Sequence, residues 1–163
     1  MRVGLRIVLA TVLCAWTTAG YAGQRVRAEF FPQRHLELQG HWANPRFTGD
    51  LDADSRIVAA YDNIELRLFI PPSFTSPPQQ AQIYLILPSQ IPGLDVGGGM
   101  QVSWVTRGRF LNGTARPGDR VRIFDGVVGE PMLADFLNLT ITIDARRMPG
   151  AVRFDALFEI ERR

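Results

Sequence analysis

The feature that most constrains this chain is the alternation of apolar and polar residues with a period of two. It is clearest between residues 64 and 70, where apolar Ile64, Leu66 and Leu68 are separated by Glu65 and Arg67. Such alternation is typical of a β-strand with one buried face, because successive side chains of a strand point to opposite faces. The pattern recurs at 36–39, 83–87, 102–107, 121–123, 139–144 and 153–161. The sequence therefore predicts about seven to eight strands.

Short segments containing proline and glycine separate these runs. Pro71-Pro72, Asn112-Gly113 and Pro117-Gly118 all lie between predicted strands, and residue pairs of this kind favour turns. Strands that are joined by frequent turns are typical of antiparallel sheets. We therefore expect an all-β fold, either a single antiparallel β-sandwich or a partly open barrel.

One segment has a helical rather than an alternating pattern. Pro131 suits the first position of a helix, and the apolar residues that follow it would share one helical face. These residues are Met132, Leu133, Phe136 and Leu137. The sequence therefore predicts one short helix near 131–137.

The remaining organisation is simple. Residues 23–33 are expected to form a loose lead-in to the domain. Phe30 and Phe31 indicate that part of this lead-in packs against the domain. No repeat with a period of 20 to 50 residues and no interdomain linker is present in the sequence. Residues 23–163 are therefore expected to form a single β-sandwich domain.

The first 22 residues have the composition of a secretory signal peptide. Two arginines precede an apolar run at 7–16, and the segment ends in the small-residue pattern Gly20-Tyr21-Ala22. This order predicts cleavage after Ala22, and the apolar run is shorter than the roughly 20 residues that span a bilayer. We therefore expect residues 1–22 to be removed from a bacterial protein that is periplasmic or secreted and has no transmembrane segment.

Charge and cysteine content change when this segment is removed. Two of the 18 basic residues and none of the 16 acidic residues lie in it, so the rest of the chain has no net charge with its histidines neutral. A neutral domain lacks the basic surplus that nucleic-acid binding requires. The single cysteine, Cys14, is also removed, so the core alone must stabilise the domain.

Arginines are concentrated between residues 107 and 122, and they suggest a ligand-binding patch. If the strands around 104–111 and 119–125 formed a hairpin, their guanidinium groups would converge and could bind carboxylates, sulfates or phosphates through paired hydrogen bonds. The residues concerned are Arg107, Arg109, Arg116, Arg120 and Arg122. The alternative is a solvated face with single ion pairs, each worth about 0 to 1 kcal/mol. All basic residues are arginine, which the codon usage of a GC-rich bacterial genome would also explain.

Trp42 is a further ligand-binding candidate, because sugar rings stack on exposed aromatic faces. It follows a predicted strand and is expected to be exposed, whereas Trp104 is in phase with Val102 and is expected in the core.

No metal or cofactor is expected. Asp50, Asp52 and Asp54 alternate as in the start of a calcium loop, but Ser55 replaces the turn glycine and Tyr61 the bidentate glutamate, so an acidic surface loop is the favoured interpretation. The two histidines, His35 and His41, match no common zinc spacing.

The sequence also lacks the common motifs of hydrolytic enzymes. The sequence has no Gly-x-Ser-x-Gly elbow, no cysteine after residue 22 and no lysine. We therefore expect a non-catalytic exported binding module that recognises a protein partner or an anionic polysaccharide of the cell envelope. The first alternative is a structural subunit of a surface assembly that pairs through an edge strand. The second is a hydrolase with an unrecognised carboxylate pair.

Overall fold

A computed structural model describes residues 23–31, 40–44, 46, 48–50, 54–95, 99–150, 152–153 and 155–163. Nine strands and two short helical turns account for the regular structure of these residues. The strands are β1 (Gln24–Phe31), β2 (His41–Trp42), β3 (Arg56–Phe69), β4 (Gln79–Ile86), β5 (Met100–Thr106), β6 (Gly113–Ala115), β7 (Arg120–Val128), β8 (Met132–Asp144) and β9 (Leu157–Arg162). The helical turns are α1 (Pro72–Thr75) and a 3₁₀ turn at Ala145–Arg147.

The strands form one antiparallel sheet in the order β6-β5-β8-β3-β1-β9-β4-β7, with β2 paired to the start of β3. β1 connects the two halves of the sheet, because its first residues pair with β9 and its later residues pair with β3. The sheet curls until its end strands approach each other, and the Leu111 N–H donates to the Ile123 carbonyl at 2.7 Å. The all-β antiparallel prediction is thus confirmed, in the form of a nearly closed barrel.

Alternation along the strands places the core inside this barrel. Ile64, Leu66 and Leu68 of β3 are buried, and so are Ile83 and Leu85 of β4. The inward side chains of β5, β8 and β9 continue the same core, which includes Trp104, Ile141 and Phe158. The period-two pattern therefore located the buried faces correctly. The alternating segment at 36–39 lies outside the described residues.

The helix predicted near 131–137 is wrong, because this segment is the first half of β8. Met132 to Leu137 pair residue by residue with β3, and burial alternates so that Leu133 and Leu137 point inward while Phe136 stays 45% exposed. Pairing with a long neighbouring strand provides hydrogen-bond partners along one edge of this segment and overrides a weak local helical pattern. The short α-helix of the described chain is instead α1, which buries Phe74.

The loose lead-in predicted at 23–33 is also wrong where the structure describes it. Residues 24–31 form β1, with Val26 buried in the core. Among the described residues, no helix has the length and apolar character that a membrane span requires.

Candidate functional site

An open groove with a cavity volume of about 630 Å³ lies on the outer face of the sheet, where β3 begins and β8 ends. Four arginines and two aspartates are among the residues that line it. The lining residues are Arg56, Gly99, Met100, Gln101, Arg116, Pro117, Asp119, Thr142, Asp144, Arg146 and Arg147. The lining therefore carries a net charge of plus two, although the chain after residue 22 is neutral.

Strand register brings these residues together from distant parts of the sequence. Arg56 lies opposite Asp144, and Gln101 lies opposite Thr142. Because Ile141 and Ile143 of β8 are buried, Thr142 and Asp144 point to the outer face. Arg116 follows β6 directly and enters the groove from the opposite side.

Asp144 is held by Arg146 at the C-terminal end of β8. The Arg146 Nε and Nη2 atoms donate to the two oxygens of Asp144 at 3.0 and 2.8 Å, and the Arg146 backbone N–H donates at 3.1 Å. These side-chain hydrogen bonds lower the pKa of Asp144 from 3.8 to about 2, against the effect of burial, which raises it. Asp144 is therefore ionised at neutral pH, and its charge is balanced within the groove.

Asp119 is engaged in a similar local contact. Its Oδ2 accepts the Arg116 backbone N–H at 2.7 Å, and its own backbone N–H donates to the Arg116 carbonyl at 2.9 Å. The contact fixes the Pro117-Gly118 turn but does not use the Arg116 guanidinium. Both carboxylates of the groove thus have internal partners.

The guanidinium groups of Arg56, Arg116 and Arg147 differ from these two carboxylates in their lack of an ion-pair partner among the described residues. All three residues are exposed, and none of them forms an ion pair with a carboxylate in the part of the chain that the structure describes. The stem of Arg147 packs on Gly99, where a Cβ atom would lie 2.9 Å from the Cβ and Cδ of Arg147. Gly99 also has a φ of +97°, so the backbone and the close contact both favour glycine. This packing holds Arg147 along the groove.

The hairpin that would gather the five arginines of residues 107–122 is not formed. β5 pairs with β6 and β8, and β7 pairs with β4. Arg107 and Arg109 lie beyond one end of β5, whereas Arg116 lies near its other end. Of the five arginines, only Arg116 lines the groove.

The other arginines of that prediction interact mainly with nearby acids. Arg109 pairs with Glu130 at 3.3 Å, Arg122 pairs with Asp125 at 3.0 Å, and Arg120 lies over the Tyr84 ring and pairs with Glu159 and Glu161. Arg107 is exposed, and its backbone N–H donates to the Phe136 carbonyl at 3.1 Å. Three of these four arginines thus have acidic partners, and a role for them in ligand binding stays a prediction.

The two tryptophans lie as the sequence predicts: Trp104 is buried and Trp42 is 46% exposed. Trp42 lies opposite Ile57, which in turn lies opposite the buried Ile143. The groove residue Arg56 precedes Ile57 and faces the other way. Trp42 and the groove are therefore on opposite faces of the sheet, and a role for Trp42 in sugar stacking stays a prediction.

Of the three aspartates of the possible calcium loop, Asp50 and Asp54 lie within the described residues. Asp54 is buried, and its oxygens accept hydrogen bonds from Asn44 Nδ2 at 2.6 Å and from the backbone N–H groups of Thr48 and Gly49 at 2.8 Å. It thus fastens a loop rather than forming an acidic surface. Asp52 and His35 lie outside the described residues. Within the described residues, no group of three or more potential metal ligands occurs.

Arg56, Arg146 and Arg147 were missed by sequence reasoning. Arg56 precedes the adjacent Arg146 and Arg147 by 90 residues or more along the chain, and the pairing of β3 with β8 brings them together. The one available signal was the Arg146-Arg147 pair directly after an alternating run.

In comparisons with known proteins, no family model matches the chain, and no curated protein or solved structure matches it either.

Proposed function

We propose that this protein is an exported, non-catalytic binding module that holds an anionic ligand in the arginine-lined groove. The observation that carries the proposal is the combination of Arg56, Arg116 and Arg147 around one cavity with two carboxylates that are already engaged. A planar guanidinium binds carboxylate, sulfate or phosphate groups through two parallel hydrogen bonds. The groove thus offers cationic donors that lack internal acceptors among the described residues.

Because the chain after residue 22 has no net charge, only the groove itself attracts an anion. A net charge of plus two in the groove acts over about 8 Å at physiological ionic strength, so the groove attracts an anion only at close range. The affinity is expected to fall as salt rises, because exposed guanidinium groups supply most of the interaction.

Binding is better supported than hydrolysis by a carboxylate pair. A glycosidase needs one protonated carboxylic acid and one carboxylate. Asp144 has a pKa of about 2 and is clamped by Arg146, so it has no proton to donate at neutral pH. Asp119 is held by the Arg116 N–H in the adjoining turn.

The edge-strand alternative has less support than the groove. A subunit that pairs through β7 needs the free edge of that strand, but the segment before β6 lies along it and the Leu111 N–H donates to Ile123. That contact occupies part of the gap between the two end strands of the sheet.

The proposal is tested by calorimetric titration of the mature protein with citrate and with sulfate at low and at physiological salt. Arg116→Glu combined with Arg147→Glu should weaken citrate binding at least tenfold. The comparison variant, Arg109→Glu with Arg122→Glu, has the same change in charge and should bind citrate as the parent does, because neither residue lines the groove.

Three outcomes would contradict the proposal. Unchanged affinity in the first variant, with both variants folded by circular dichroism, would overturn the proposal. Selective loss of citrate binding in the second variant would instead support the arginine patch predicted from the sequence. An absence of binding to either anion by the parent protein would remove the groove as a site.

A further inference from the structure

The groove runs across the strands rather than along them. Its lining comes from four adjacent strands in the order β6, β5, β8 and β3, or from the turns beside them. Neighbouring strands are about 4.8 Å apart, so the backbone at Arg116 and the backbone at Arg56 are separated by roughly 14 Å. The groove therefore has cationic side chains at both ends.

Between these ends the floor is uncharged but polar. Gln101 and Thr142 lie opposite each other on β5 and β8 and line the cavity. Their amide and hydroxyl groups can both donate and accept hydrogen bonds. Such groups complement sugar hydroxyls, which also donate and accept.

From this pattern we infer that the ligand is a linear acidic polysaccharide that crosses the strands. One acidic group binds Arg116 at the β6 end, a second binds Arg56 at the β3 end, and the hydroxylated sugar between them contacts Gln101 and Thr142. The inference rests on the proposed function, since it specifies the ligand of the same groove.

Other polyanions fit this floor less well. Proteins that bind single-stranded nucleic acids combine a cationic track with aromatic side chains on which the bases stack. The cavity lining contains no aromatic residue in the described part of the chain. A single small anion would use one end of the groove and leave the other end empty.

The test compares glucuronate with a hyaluronan tetrasaccharide, in which acidic and neutral sugars alternate, by calorimetric titration. Simultaneous contact at two ends makes the second contact intramolecular, so the tetrasaccharide should bind at least tenfold more tightly than the monomer. Arg56→Gln should weaken the tetrasaccharide roughly tenfold. It should weaken glucuronate at most twofold, because the Arg116 end still binds the monomer.

The floor is tested with a matched pair of variants on β8. Thr142→Val removes one hydroxyl from the groove and should weaken the tetrasaccharide roughly fivefold, as expected for one hydrogen bond. Thr140→Val makes the same change two residues away, outside the cavity lining, and should have no effect.

Three outcomes would overturn the inference. The first is equal affinity for monomer and tetrasaccharide. The second is equally tight binding of a neutral N-acetylglucosamine tetramer, and the third is equally tight binding of a polyglutamate peptide. In the first case, citrate binding would still support the anion site, so failure of the inference is distinguishable from failure of the proposed function.

Discussion

The two ends of β5 both carry arginines, but they are built differently. Beyond Thr106, the loop of residues 107–112 is fastened to the core. Trp104 Nε1 donates to the Leu111 carbonyl at 2.9 Å, and the Phe110 N–H donates to buried Asp135 at 2.8 Å. At the other end, Gly99 and Gln101 border an open groove whose arginines are exposed.

The difference teaches that arginine density along the chain does not show where arginines come together in space. The end that carries Arg107 and Arg109 is a structural closure, in which buried hydrogen bonds shape the loop and Arg109 pairs with Glu130. The groove obtains its charge from three separate segments that the sheet brings side by side. The predictions below test whether one end provides stability and the other provides binding.

The largest effect is expected at the fastened end. Trp104→Ala removes a large buried ring and the donor to Leu111, so it should lower the free energy of unfolding by roughly 3 to 5 kcal/mol. Chemical denaturation measures this loss. Val105→Ala is the matched control, because Val105 is on the same strand and is 57% exposed. A loss below about 1 kcal/mol for Trp104→Ala would place the ring outside the core.

A smaller effect is expected from Asp135→Ala. Its carboxylate accepts the backbone N–H groups of Phe110 and Phe136, and leaving a buried N–H without an acceptor costs about 1 to 3 kcal/mol. Amide hydrogen exchange should become faster at Phe110 and Leu111, and citrate affinity should stay unchanged. Asp135→Asn retains one carbonyl acceptor, so its free energy of unfolding should lie between that of the parent and that of the alanine variant. Loss of citrate binding would show that the two ends are coupled.

The smallest effect is expected from Asp144→Asn in the groove. At neutral pH the change in stability should lie within the about 0 to 1 kcal/mol typical of exposed ion pairs. The folded pKa is about 2 and the ordinary value is 3.8, so the contribution of Asp144 is complete above about pH 4 and is lost as pH falls towards 2.

Denaturation curves at several pH values check this dependence. The difference between the parent and Asp144→Asn should shrink from pH 4 to pH 2, and Arg146→Gln should remove the same pH dependence because it removes the cause of the shift. A difference that stays constant down to pH 2 would contradict the assignment.

The fold could be predicted from the sequence to the extent that each strand is amphipathic. The second half of β3 alternates cleanly, so Ile64, Leu66 and Leu68 were predicted as buried from the sequence, whereas the buried Ala59 of its first half was not. β1 was missed although Val26, Ala28 and Phe30 alternate with Arg27 and Glu29, and burial in the structure follows the same alternation. The first half of β8 was predicted as a helix because Met132 and Phe136 are apolar on its outer face. Of the site, only Arg116 was named, since strand register is not encoded in local patterns.

The position of β1 between β3 and β9 also has a kinetic consequence. Gln24 lies opposite Ile160, so this contact closes a loop of 136 residues. The length-dependent part of that closure costs about 4 kcal/mol of chain entropy before any burial offsets it. Barrels dominated by such distant pairings fold in milliseconds to seconds rather than microseconds. The two sheet halves are therefore joined late in folding, and substitutions in β1 are expected to accelerate unfolding more than they slow folding.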